Sequence, residues 1–107
     1  AAFFGCSKLV SVSIPDSVTT ISENTFNDCE ELTSVIIPGS ITDIGDWAFF
    51  GCTGLTEIHC KALTPPYASS SFNGMNKASC KLYVPRGTFA AYKNAAGWSN
   101  FTNIIEE

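Results

Sequence analysis

The chain has few basic residues, a single histidine and no long apolar run, and each scarcity argues against a class of function. Six Lys and Arg stand against ten Asp and Glu, for a formal charge of −4 at pH 7. Because nucleic-acid binders concentrate Lys and Arg on one surface, this balance argues against a DNA or RNA partner. No apolar run approaches the roughly 18 residues that cross a bilayer, so the sequence predicts no membrane span.

The residues that build catalytic and metal sites are also scarce. His59, the one histidine, lies in a strand pattern that directs its ring and Glu57 to the exposed side and Cys60 inward. One such neighbouring pair is a weak catalytic signal, and we expect His59 to be an exposed strand residue without chemistry. There is no CxxC spacing, no GxSxG turn and no Gly-rich phosphate loop. Asp43 and Asp46 lack the spacing of a calcium loop. We therefore expect no catalytic residue, no cofactor and no metal.

What the chain has in abundance is a repeat of 23 residues. Apolar residues that return at one fixed interval are typical of a solenoid, in which each unit buries its apolar side against its neighbours. The equivalent positions are Phe3, Phe26, Phe49 and Phe72; Cys6, Cys29 and Cys52; Leu9, Leu32 and Leu55; and Val12, Val35 and Ile58. The composition and length fit one ordered domain.

Each repeat has two halves. The first alternates apolar and polar residues, which predicts a short strand with one buried face, and Pro15 and Pro38 end the strands because proline has no amide hydrogen for the ladder. The second half, residues 17–29 and 40–52, returns the chain by turns, with Phe filling the space between the two walls. Stacked turns would form a parallel sheet with strands about 4.8 Å apart.

The third repeat departs from this pattern. Lys61 replaces the proline, Tyr67 stands where the earlier repeats have Ile21 and Ile44, and Met75 takes the cysteine position. Residues 80–85 then predict a further strand, shifted by one inserted residue. We take residues 1–79 as repeats, incomplete at the N-terminus, and residues 80–107 as the last strand and a capping segment.

The capping segment contains one predicted helix and several aromatic residues. Thr88 is a plausible N-cap for a helix to residue 96, with Phe89, Tyr92 and Ala96 on one face, and Gly97 ends it. Trp98, Phe101 and Ile104 follow at helical spacing. We expect the aromatic side chains to cover the last repeat.

The residues from Cys6 to Cys29 and from Cys29 to Cys52 both fill the pattern C-x-x-L-x-x-V-x-I-P-x-x-[VI]-x-x-I-x-x-x-x-F-x-x-C. This pattern resembles the BspA-like (Treponema pallidum type) leucine-rich repeat. The resemblance implies an α/β repeat solenoid, a right-handed leucine-rich-repeat superhelix with short parallel strands and a C-terminal helical cap. It also implies a secreted or surface-attached bacterial protein that binds other proteins, adhesion included, without catalysis.

The chain begins in the middle of a repeat, which predicts the C-terminal piece of a longer protein whose secretion signal lies upstream or has been removed. A solenoid cut at that point leaves an uncapped apolar end, so end-to-end self-association of that end is expected to be favourable.

Five cysteines form an odd set. Cys6, Cys29 and Cys52 share one ladder whose neighbours lie too far apart for a disulfide, so reduced, buried packing is predicted. The repeat register sets Cys60 opposite Val84 and leaves Cys80 roughly 13 Å along the strand. The inserted residue keeps a Cys60–Cys80 bridge open as the alternative.

The outward face of the strands is the candidate binding surface. Strand alternation predicts two rows: Ser11, Ser34, Glu57 and Lys81 in one, and Ser13, Ile36, His59 and Tyr83 in the other. Exposed apolar and aromatic side chains on a rigid sheet serve as binding anchors, which favours a protein ligand. The alternative is that this piece is a structural cap or spacer whose ligand site lies upstream.

Overall fold

A computed structural model describes residues 10–107. In this part of the chain the elements follow one another as β1 (Ser11–Ser13), β2 (Thr20–Ile21), β3 (Ser34–Ile37), β4 (Asp43–Ile44), β5 (Glu57–Cys60), β6 (Lys81–Val84), α1 (Phe89–Lys93) and β7 (Ile104–Glu106).

Five of these strands form one parallel sheet in the order β1-β3-β5-β6-β7. The predicted strands are confirmed, and Pro15 and Pro38 lie just beyond β1 and β3. Val12, Val35 and Ile58 are aligned as the 23-residue interval requires. The one-residue shift before β6 is also confirmed, because Ile58 pairs with Leu82.

The second halves of two repeats contribute one strand each to a smaller sheet, where the sequence predicts only turns. Strands β2 and β4 pair in parallel, with Ile21 beside Ile44. The prediction that Tyr67 continues this position is wrong. Tyr67 pairs with Asp43 and is 64% exposed, whereas the neighbouring Ala68 is buried. The parallel pairing of Tyr67 with Asp43 shifts the third repeat by one residue here, so that Ala68 takes the buried position.

Stacked phenylalanine rings fill the interior between the two sheets. The Phe26 and Phe49 ring centroids are 5.2 Å apart, and those of Phe49 and Phe72 are 5.3 Å apart, with interplanar angles of 16° and 11°. All three side chains are buried. Equivalent side chains therefore stack from one turn to the next, as predicted. Phe3 lies outside the described residues.

The capping segment covers the third repeat, but by a different local structure from the one predicted. The Trp98 and Phe101 rings lie 4.8 and 5.1 Å from Phe72, and the Trp98 indole N–H donates to the carbonyl of Pro66 at 2.8 Å. Ile104 does not continue a helical spacing. It begins β7, an extra strand that pairs with β6.

The helix α1 is shorter than predicted, and its buried face is narrower. Thr88 makes no side-chain cap bond, since its hydroxyl donates to the Pro85 carbonyl. The Phe89 amide donates instead to the Glu106 carboxylate at 3.0 Å. Phe89 and Ala96 are exposed and only Tyr92 of the predicted face is buried, because α1 has little more than one turn.

The cysteines of residues 10–107 are buried free thiols, as predicted, and the alternative of a Cys60–Cys80 bridge is not formed. Cys29 and Cys52 are fully buried as thiols, and the Cys52 thiol donates to the Phe26 carbonyl at 3.0 Å. Cys60 and Cys80 are free. The register of β5 and β6, in which His59 pairs with Tyr83, keeps Cys60 level with Val84. Cys6 lies outside the described residues.

Candidate functional site: the outer face of the strands

The five-stranded sheet brings the eight predicted residues into the two expected rows. Ser11, Ser34, Glu57 and Lys81 are successive pairing partners, and so are Ser13, Ile36, His59 and Tyr83. Strand β7 extends the second row with Ile105, which pairs with Tyr83. The rows run across the outer face of the sheet, and a role in binding stays a prediction for their members.

The second row is less exposed at its centre than predicted. Ile36 is 39% exposed, but His59 and Tyr83 are half-buried. Their rings stack face to face, with centroids 4.4 Å apart and an interplanar angle of 4°. The expectation that His59 is a plain exposed residue is therefore wrong, since the neighbouring strand covers one face of its ring.

Both ring nitrogens of His59 meet a carboxylate. Nε2 lies 3.1 Å from Oε1 of Glu57, and Nδ1 lies 3.2 Å from each carboxylate oxygen of Glu107. A neutral imidazole has one N–H and can donate to only one of these groups, whereas an imidazolium donates to both. The two carboxylates thus hold the ring in one orientation on the face.

Lys61 completes this group, which we call the charged cluster: Glu57, His59, Lys61 and Glu107. The Lys61 ammonium lies 3.0 Å from Oε1 of Glu107. The hydrogen bond from Lys61, followed by that from His59, lowers the pKa of the Glu107 carboxyl. The Glu107 backbone amide donates to the Val84 carbonyl at 2.9 Å, which places this side chain within reach of β5.

Two members of the charged cluster were missed from the sequence, as was Ile105 beside them. The sequence pattern marks Lys61 only as a departure from the proline position, although strand alternation puts it on the same side as His59. Ile105 and Glu107 do not emerge from the sequence because the helical spacing predicted for Ile104 excludes a strand there. Two adjacent β-branched residues, Ile104 and Ile105, were the available signal for a strand.

Three cysteine thiols of residues 10–107 have raised pKa values. Burial, followed by the Cys29 thiol, raises the pKa of Cys52 to about 12, and burial, followed by the charge of Glu57, raises that of Cys80 to about 12. Burial also raises the pKa of Cys60, whose sulfur lies 3.2 Å from the Tyr92 hydroxyl. Such thiols are poor nucleophiles because the thiolate is the reactive form.

Residues 10–107 contain neither a metal-ligand cluster nor a membrane-spanning helix. This part of the chain has no group of three or more His, Cys, Asp or Glu residues that could hold a metal ion. It also has no helix that is long and apolar enough to span a bilayer.

Each repeat adds one short strand to the parallel sheet and returns by turns around stacked phenylalanines. This arrangement defines a leucine-rich-repeat solenoid. A family model described as "BspA type Leucine rich repeat region (6 copies)" matches residues 1–95. The chain belongs to this family, and the predicted family and fold class are confirmed. No curated protein matches the chain.

Proposed function

We propose that this protein is a non-catalytic interaction module, secreted or displayed at a bacterial surface, which binds a protein partner through the outer face of its strands. Membership of the leucine-rich-repeat family supports a protein-binding role. The observation that carries the proposal is the register of the second row, which sets Ile36, His59, Tyr83 and Ile105 side by side across four strands.

The mechanism is rigid presentation. The strands are held by continuous parallel ladders, and the His59 ring is oriented by Glu57, Glu107 and the stacked Tyr83 ring. Association costs free energy when side chains and loops must be ordered at the interface. Since these side chains are already ordered by folding, binding loses little further entropy.

A triple variant tests this proposal. Ile36, His59 and Tyr83 are replaced together by serine, the residue that the chain itself has in this row at Ser13. The probes are immobilised fibronectin, laminin and collagen, measured by surface plasmon resonance. We expect the parent chain to bind at least one of them and the variant to lose at least tenfold in affinity.

A matched control replaces three exposed residues that lie away from the strand face. Trp47, Phe50 and Tyr67 are 48%, 42% and 64% exposed and lie in the second halves of the repeats, so their replacement by serine removes a comparable apolar area elsewhere. The control should bind like the parent, with circular dichroism showing that both triple variants fold. Equal binding by the parent and the Ile36, His59 and Tyr83 variant would refute the strand face as the binding surface.

The second candidate is a structural cap or spacer at the end of a longer array. The packing of Trp98 and Phe101 on Phe72 favours it, because these rings occupy the place of a further repeat. Under this proposal, residues 1–79 are repeats and residues 80–107 are the cap. A longer parent protein would then bind the matrix probes while residues 1–107 alone would not, and sedimentation of residues 1–107 would report end-to-end self-association.

A further inference from the structure

The charged cluster contains a site, formed by the Lys61 ammonium and the His59 ring, that is already filled by a carboxylate from the chain itself. Lys61 Nζ and His59 Nδ1 both bind the Glu107 side chain, at 3.0 and 3.2 Å. Glu107 comes from beyond β7, two strands away from β5 in the sheet. The carboxylate therefore sits on this pair as an intramolecular ligand, and it shows which chemistry the pair accepts.

The third repeat creates this site by a change at one position. The first two repeats have Pro15 and Pro38 there, neither of which can donate a hydrogen bond or carry charge. Lys61 continues the ladder through its amide, which donates to the Ile37 carbonyl at 2.9 Å. Alternation then directs the ammonium to the outer face, on the same side as the His59 ring.

The intramolecular occupant is held weakly enough to exchange. The side chains of Lys61 and Glu107 are 51% and 35% exposed. Ion pairs this exposed change an equilibrium by only about two- to fivefold, because water screens the charges. A carboxylate from a partner could therefore replace Glu107 at small cost, and Glu57 would still orient the His59 ring from its other nitrogen.

A second basic group lies on the same face. Lys81 pairs with Glu57 in the first row, and its side chain is exposed. Within residues 10–107, Lys81 has no carboxylate within ion-pair distance. Once Glu107 is displaced, the face offers Lys61, Lys81 and the His59 ring against the single carboxylate of Glu57.

We propose that the partner presents an acidic segment, one carboxylate of which displaces Glu107 from Lys61 and His59 while a second approaches Lys81. This inference rests on the proposed binding role of the strand face and adds the chemical class of the partner's contact segment. Glu107 then acts as a competitor that reduces the affinity of the face for acidic ligands.

The probe is a fluorescein-labelled hexaglutamate peptide, with hexaglutamine as its uncharged counterpart, measured by fluorescence anisotropy at low salt. We expect hexaglutamate to bind and hexaglutamine not to bind. Glu107→Gln should raise the affinity about two- to fivefold by removing the competitor. Glu31→Gln removes the same charge from an exposed turn and should leave the affinity unchanged.

The double variant Glu107→Gln with Lys61→Gln distinguishes two causes of a higher affinity in Glu107→Gln: removal of a competing carboxylate, and loosening of β7. If Glu107 competes with the peptide for Lys61 and His59, the gain in affinity disappears when Lys61 is absent, and a gain that survives overturns the proposal. His59, the only histidine, gives a direct readout, since its ring proton resonances should shift on peptide addition. Unmoved resonances, or equal affinity in Lys61→Gln and the parent, would also overturn it.

The outcomes distinguish this inference from the proposed function. If the Ile36, His59 and Tyr83 variant loses matrix binding while Lys61→Gln binds hexaglutamate as the parent does, the strand face is a binding surface but its partner is not acidic. If the affinity for hexaglutamate changes in the Lys61 and Glu107 variants as expected while the triple variant binds the matrix proteins like the parent, the acidic-ligand site at Lys61 and His59 is supported and the proposed matrix binding is refuted.

Discussion

Replacing Gly97 by alanine should destabilise the protein at the junction between the capping segment and the third repeat. Gly97 has a φ of +84°, and a Cβ at this position would collide with the carbonyl oxygen of Ala68. A non-glycine residue at positive φ costs roughly 1–2 kcal/mol, and overpacking costs roughly 1–3 kcal/mol more. We therefore expect Gly97→Ala to lower the free energy of unfolding by about 2–5 kcal/mol.

Gly87 provides a control for the backbone part of this effect. Its φ is +87°, nearly the same, but no atom lies within 4 Å of the Cβ that alanine would add. Gly87→Ala should thus cost only the conformational part, about 1–2 kcal/mol. The difference between the two variants isolates the contact between the capping segment and the backbone at Ala68.

The assay is equilibrium unfolding in urea, followed by circular dichroism, with the parent and both variants compared at one protein concentration. A common slope against urea would show that the same surface is exposed on unfolding in each case. If the two alanine variants lost equal stability, Gly97 would not pack against Ala68. The conclusion that the capping segment covers the third repeat would then be wrong.

Two further predictions concern thiol reactivity and pH. In a variant with Cys6 replaced by serine, the buried Cys52 and Cys80 thiols should react with a thiol reagent at mildly alkaline pH only as the protein unfolds, because burial raises their pKa values to about 12. Rapid reaction of the folded variant would contradict their burial. Because Lys61 lowers the pKa of the Glu107 carboxyl below its ordinary 4.5, the ionised carboxylate adds stability above pH 4.5, and this stability is lost as the pH falls through the lowered pKa. The urea midpoint should therefore drop more steeply on acidification in the parent than in Lys61→Gln, and identical pH profiles would refute the ion pair.

The repeat explains why so much of the face could be read from the sequence. A constant interval of 23 residues can bury Val35 with Ile58 and Phe26 with Phe49 only if successive turns lie in register, which fixes the alternating outward positions as well. Even the shift at Leu82 was predictable, because one inserted residue moves the pairing by one.

The contacts that the repeat does not copy could not be predicted in this way. Tyr67 lies outside the interior, beside Asp43, and the Trp98 indole N–H donates to the Pro66 carbonyl from a segment with no counterpart in the repeats. Ile104 joined the sheet as β7, where it pairs with Leu82 of β6, a pairing between residues that are not one period apart.

The sequence by itself determined the solenoid, the strand register and the two outward rows, since each depends on contacts between equivalent residues one period apart. Only the tertiary structure decided that Glu107 reaches Lys61 and His59 and that His59 stacks under Tyr83 as an oriented, half-buried ring. The physical reason is that these contacts depend on where the capping segment returns to the sheet, and a contact made once in a chain leaves no period to read.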